Sequence, residues 1–239
     1  MLLAIDLTTC TSGYNCVLLC ISVYSSVHHC ISVCIIVNRC ALMYFIDYHC
    51  SSVYVIVYLC TSVYIMCICT SVYFILYQWA SVCSILYWRT SVNISVHYCI
   101  SLYISAHHCR SLFIIVDQSS SMYIIAYKCT SVYIILYQCT SVYIRVHNCI
   151  FVYISVHHCI SVYICVHRWI FVYISVQRCI FVYISLHHDI SVYIIVCQCT
   201  LVYIIVYQCA SVYISIDPRS SLNICVHQCT SFISVYRCT

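Results

Sequence analysis

A ten-residue unit repeats along almost the whole 239-residue chain, and this repeat constrains the fold more than any other feature. From Ser71 the blocks read SVYFILYQWA, SVCSILYWRT and SVNISVHYCI, and later ones include SVYIILYQCT and FVYISVHHCI. Cysteine recurs at Cys10, Cys20, Cys30, Cys40, Cys50 and Cys60. The series then loses one residue and resumes at Cys69, Cys99, Cys109 and beyond. A second residue is lost in the last unit, SFISVYRCT. Residues 1–20 hold degenerate units, and 21–239 form the tandem array.

With the unit numbered from Ser71, positions two, four and six stay apolar, as in Val132, Ile134 and Leu136 or Val152, Ile154 and Val156. Positions three, five and seven carry wetter or aromatic side chains such as Tyr153, Ser155 and His157. This is the period-two alternation of a half-buried strand. Valine, isoleucine and tyrosine, which dominate each unit, favour that conformation. Because ten is even, every unit keeps the same faces. Positions eight to one, for example His158-Cys159-Ile160-Ser161, are expected to form the connection.

An amphipathic helix fits poorly. At 3.6 residues per turn each ten-residue step rotates the pattern by about −80°, so no apolar stripe persists. A membrane helix needs length rather than a stripe. Segments 48–88 and 190–216 carry no formally charged side chain, and each exceeds the roughly 20 residues that span a bilayer. The expected class is therefore all-β, with ten-residue strand units forming a solenoid or a meander-like ladder. Hydrophobic α-helices of transmembrane type are the alternative. The single glycine, Gly13, and single proline, Pro218, count against tight turns in either β architecture.

Composition narrows the function. Apolar residues make up 65% of the chain and charged residues 6%, against about 25% charged in ordinary soluble domains. The nine basic residues are scattered singly, so no patch exists to neutralise phosphates and nucleic acid is not an expected partner. The stretch from Met1 to Cys20 lacks a basic leader and is not expected to be a secretory signal.

Cysteine and histidine supply the chemistry worth weighing. The triplets His28-His29-Cys30, His107-His108-Cys109 and His157-His158-Cys159 pair imidazoles with a thiol, as zinc or copper sites do. Tyrosine or glutamine replaces the histidines in many units, so the triplets read as repeat copies rather than a fixed ligand set. Cys67-Ile68-Cys69 and Cys197-Gln198-Cys199 are weaker still. A disulfide ladder between units is geometrically permissible, because stacked strands lie about 4.8 Å apart and bridged Cα atoms about 4.4–6.8 Å. Trp79, Arg89, Ser119, Trp169 and Asp189 interrupt it, which favours thiols inherited with the repeat. No paired carboxylates, glycine-rich phosphate loop or GxSxG elbow is present. Asp117 and Asp217 fall at position seven as isolated replacements. No catalytic, cofactor-binding or metal residue is assigned, no cofactor is expected, and the chain is not expected to be an enzyme.

The replacements have a second signature. Cys83, Asn93, Phe113 and Asn223 stand where tyrosine is usual, and each is one base change from a tyrosine codon. Trp79, Arg89, Ser119, Trp169 and Arg219 stand in the same relation to cysteine. These groups share codons rather than size or charge. The pattern is that of a translated tandem DNA repeat, a reading frame with no specific biochemical function. The alternatives are a structural, self-associating β-repeat protein and a membrane-embedded hydrophobic chain. Neither compartment nor partner is specified beyond these two possibilities of self-association and membrane.

Overall fold

The computed structural model describes residues 2–7, 10–217, 221–229 and 231–234. The described chain is all-β and forms a parallel solenoid of about 10 turns. Its strands are β1 (Leu2–Leu7), β2 (Cys10–His28), β3 (Cys30–Tyr48), β4 (Ser52–Ile68), β5 (Ser71–Tyr127) and β6 (Ser131–His147). The series continues with β7 (Phe151–His157), β8 (Cys159–Gln177), β9 (Phe181–Cys197), β10 (Leu201–Ile216), β11 (Ser221–His227) and β12 (Ser231–Ser234). Every pairing is parallel, and each residue stacks on its equivalent two units away, as in Cys10↔Cys30, Tyr163↔Tyr183 and Val202↔Leu222. Two units thus make one coil. The meander is excluded, since it would pair neighbouring units antiparallel.

The helical alternative is not realised. No helix among the described residues is long and apolar enough to cross a membrane. The reason is the period: a face repeated every second residue buries completely in a strand and in no helical register.

Positions two, four and six point inward as their apolar character requires. Val132, Ile134, Leu136, Val152, Ile154 and Val156 are buried in one contiguous core shared by both sides of the coil. Each buried aliphatic side chain contributes about 1.5–3 kcal/mol relative to exposure. Ser25 and Ser84, polar residues at position four, are buried without a hydrogen-bond partner for either hydroxyl.

The expected connection is a different object. Position nine is also core: Cys30, Cys60, Cys99, Cys139 and Cys179 are all buried. The corner is therefore not a solvated loop, and the ladder runs on through it, most visibly along β5. The turn itself falls on position eight. His29, His49, His108, Lys128, Asn148, His158, Arg168, Arg178, His188, Gln198, Gln208 and Gln228 all have φ between 49° and 61°. Glycine is not needed there, because histidine and asparagine tolerate the left-handed region better than most residues. The remaining occupants take it at a cost of about 1 kcal/mol or more.

The two corners of the coil are not alike throughout. One turns left-handed at His29 and His49 and again from His108 to Gln228. The other stays extended at first, with Leu19, Arg39, Leu59 and Gln78 paired in succession and Gln118 paired with Gln138. It becomes left-handed at His158, Arg178 and Gln198. Replacing Lys128 with glycine should therefore stabilise the fold by about 0.5–1 kcal/mol, while Gln118→Gly should destabilise it by a similar amount. Urea unfolding of the two variants measures the contrast.

The solenoid also absorbs the missing residue. Ser52 pairs with Ser71 rather than with a residue 20 further on. The loss falls at position eight, between Ile68 and Cys69, so Cys67 and Cys69 both remain buried.

Candidate functional site

Stacking in register turns each position of the unit into a column along the solenoid. The most continuous outward column lies at position seven on one side, where Tyr87, His107, Tyr127, His147, His167, His187, Tyr207 and His227 stack in succession. Ring centroids within it lie 4.7 to 5.1 Å apart. Tyrosine columns at position three run parallel to it, with Tyr163–Tyr183 at 4.4 Å and Tyr193–Tyr213 at 4.5 Å. The spacing follows from the ladder, because rings on adjacent parallel strands sit one strand separation apart.

Three adjacent imidazoles in that column shape its electrostatics. Burial holds the His147 pKa below its ordinary value, with Arg145 adding to the effect. His167 is lowered to about 4, first by burial and then by the charges of His187, His147, Arg145 and His188. Burial and then His188 lower His187. Since the folded values lie below those of the unfolded chain, the unfolded chain binds protons first. Stability is then lost as pH falls from about 6.5 toward 4 and levels off below that. These rings are only partly buried, so solvent screening reduces the loss to about 1 kcal/mol for His167. Thermal unfolding at pH 7 and pH 4.5 should show a lower Tm in acid, and His167→Tyr should remove much of the difference.

The His-His-Cys triplets do not converge. In 28–30 the first ring stacks outward on Tyr48 at 4.7 Å, the second stacks on His49 at 5.5 Å, and Cys30 is buried in the core. In 107–109 and 157–159 the cysteine is likewise inside and the histidines outside. Consecutive residues around a corner point in different directions, so neither ring can share a metal with the thiol. Among the described residues no group of three or more histidine, cysteine or acidic side chains could hold a metal ion.

Other pairings on the outer face follow from positions five and seven pointing the same way. Ser155 and Ser185 hydrogen-bond His157 and His187 at 2.9 and 3.1 Å, and Cys165 lies 3.2 Å from His167. An activated thiol needs a raised thiolate fraction beside a basic imidazole. Here burial raises the Cys165 pKa while that of His167 is lowered, so the neutral thiol and neutral imidazole persist. Asp117 pairs with His97 at 2.7 Å, and both are exposed. Asp217 is buried, with its backbone N–H donating to the Val196 carbonyl at 3.0 Å. The extended corner carries a groove of about 1070 Å³ bordered by Arg39, Tyr58, Tyr77, Gln78, His97 and Asp117.

The inward cysteines form columns that sequence reasoning put on a connection. Cys40 and Cys60 place their sulfurs 2.8 Å apart. The backbone N–H of Cys129 donates to the Cys149 sulfur at 3.3 Å. Hydrogen bonds from Cys109 and Cys149 lower the Cys129 pKa to about 4, while its bond to Cys129 drives that of Cys149 up. Bonding to Cys139 and to Cys159, respectively, pushes Cys159 and Cys179 up to about 12. Trp79 and Ser119 occupy the same column and are also buried, with the Trp79 indole nitrogen unpartnered. The side chains of Arg89, Trp169 and Asp189, and all of Arg219, lie outside the described residues.

The fold and its columns define a two-sided parallel β-solenoid repeat protein. No family model, curated protein or solved structure matches it.

Proposed function

We propose that this chain is a structural repeat that assembles end to end with copies of itself, and that it is not an enzyme. One observation carries the reading: among the described residues the outermost coils present strand edges with no described partner. Among the described pairings, β1 bonds only to β2 and β11 only to β10. Solenoids normally end in polar capping repeats, and exposed strand edges recruit further strands. The first described coil exposes Tyr14, Leu18, Leu19 and Ile21 to between 66% and 72%. At the other end Ile224 and Val226 are only partly buried against the core. Every internal coil already stacks on a near-copy of itself, so a second chain can continue the ladder in the same register. Such a head-to-tail contact does not close and builds filaments.

The same reading includes an origin as a translated tandem DNA repeat. Its support is the cysteine column, where tryptophan and serine replace a buried thiol without regard to volume. An excess of silent over replacement differences between units in the coding DNA would contradict that origin.

Assembly is tested by following the purified chain with light scattering and fibre diffraction. Filaments with a meridional spacing of about 4.8 Å are expected. Tyr14→Lys with Leu18→Lys should abolish elongation from the first coil by placing charge at the edge. A chain that stays monomeric at high concentration, or lysine variants that elongate as fast as the parent, would refute the proposal.

A further inference from the structure

We propose that the inward cysteine columns are sites of disulfide formation between successive coils, each bridge joining residues 20 positions apart, or 19 across the shortened unit between Cys50 and Cys69. The inference is independent of end-to-end assembly, since both partners belong to one chain. Three observations carry it. The ladder pairs Cys40 with Cys60, Cys20 with Cys40, and Cys139 with Cys159 residue for residue. Adjacent parallel strands hold paired Cα atoms about 4.8 Å apart, inside the range a disulfide spans. The Cys40 and Cys60 sulfurs already approach to 2.8 Å.

The columns are segmented by their own replacements. On one corner Trp79 ends the run that contains Cys40 and Cys60, and Ser119 separates Cys99 from the run beginning at Cys139. A thiol can bridge only one neighbour, so each run has a small set of allowed pairings. Cysteines of opposite corners are separated by a whole strand and cannot meet.

The chemistry requires an oxidant, and a small-molecule disulfide such as oxidised glutathione supplies it. The thiolate of one cysteine attacks a glutathione sulfur and expels glutathione thiolate, which takes up the proton lost from the cysteine. The neighbouring thiolate then attacks the mixed disulfide, forms the protein S–S bond and releases the second glutathione. Two protein thiols are oxidised and one glutathione disulfide is reduced to two thiols. Hydrogen bonding along the column favours this sequence, because it stabilises a thiolate beside a thiol, as at Cys60 and Cys129.

The test oxidises the folded full-length chain with glutathione disulfide, unfolds it in urea with excess alkylating agent to cap the remaining thiols, digests with pepsin in acid and maps cross-linked peptides. The expected product contains Cys40–Cys60 together with bridges at the same one-coil spacing elsewhere. In Cys60→Ser, Cys40 should switch to Cys20. In Cys40→Ser, Cys60 has Trp79 on one side and serine on the other, so it should stay a thiol and be alkylated completely once the chain is unfolded. Full alkylation of the oxidised parent, or the same scrambled pairings that the urea-unfolded chain gives, would overturn the proposal. The mapping of the parent alone decides the matter should either serine variant fail to fold.

Discussion

Replacing Asp47 with valine is expected to stabilise the solenoid by about 3 kcal/mol, the scale on which a carboxyl group in an apolar interior is penalised. Asp47 stands at position six of its unit, where valine, leucine or alanine is usual. It is fully buried and is stacked between Val27 below and Cys67 above. Its contact with the Cys50 thiol raises the Cys50 pKa, after burial, which is the larger cause. A thiol is a weak donor and offsets little of the cost of desolvating a carboxylate. Valine has the right volume and restores the column. The gain should be local, because each coil of a solenoid contacts only its neighbours. Hydrogen exchange at the amides of β2, β3 and β4 should slow, while β9 and β10 should be unchanged. The reverse change, Val166→Asp, should cost a similar amount around β8. If Asp47→Val leaves the β3 amides exchanging at the parent's rate, the assigned inward orientation is wrong.

The second large effect separates the strand from the corner. Deleting Ser155 should cost about 4 kcal/mol, whereas deleting His158, three residues away, should cost about 1 kcal/mol or less. Without Ser155, Val156 moves to an outward position and His157 takes its place in the core. The fold then loses a buried valine and gains a buried imidazole. Without His158 the chain passes directly from position seven to Cys159, as it already does between Ile68 and Cys69. There β4 ends at Ile68, yet hydrogen bonds between coils carry on across the corner, the His49 N–H donating to the Ile68 carbonyl at 2.8 Å and the Thr70 N–H to the Cys50 carbonyl at 3.1 Å. Deletion of His158 also removes a residue held at φ 55°. Urea midpoints for the two deletions measure the difference, and equal midpoints would mean that position eight is not the turn.

Much of this was legible from residues alone. Tyr153, Ser155 and His157 alternate with Val152, Ile154 and Val156, and that alternation could be satisfied only by a strand with one buried face. The cysteines were harder to place. Nothing in the spacing of Cys139, Cys149 and Cys159 distinguishes a solvated connection from a buried corner. Their replacement by tryptophan and serine suggested an unconstrained site, yet Trp79 and Ser119 are buried. The His-His-Cys triplets were misleading for a related reason: adjacency along the chain implies convergence only where the backbone does not turn between the residues. The switch of one corner from extended at Gln138 to left-handed at His158 has no counterpart in the residue pattern, and we have no physical account of it.

The period, the faces and the class of structure were determined by the sequence itself, because an even repeat of β-branched residues can hide its apolar side in only one kind of backbone. Whether adjacent units would fold back on one another or wind into coils was decided by tertiary structure. Winding places every residue on its equivalent two units away, so tyrosines meet tyrosines and thiols meet thiols. That choice depends on the direction the chain takes around position eight, where some corners use a left-handed residue and others stay extended, and on the core packed beneath both.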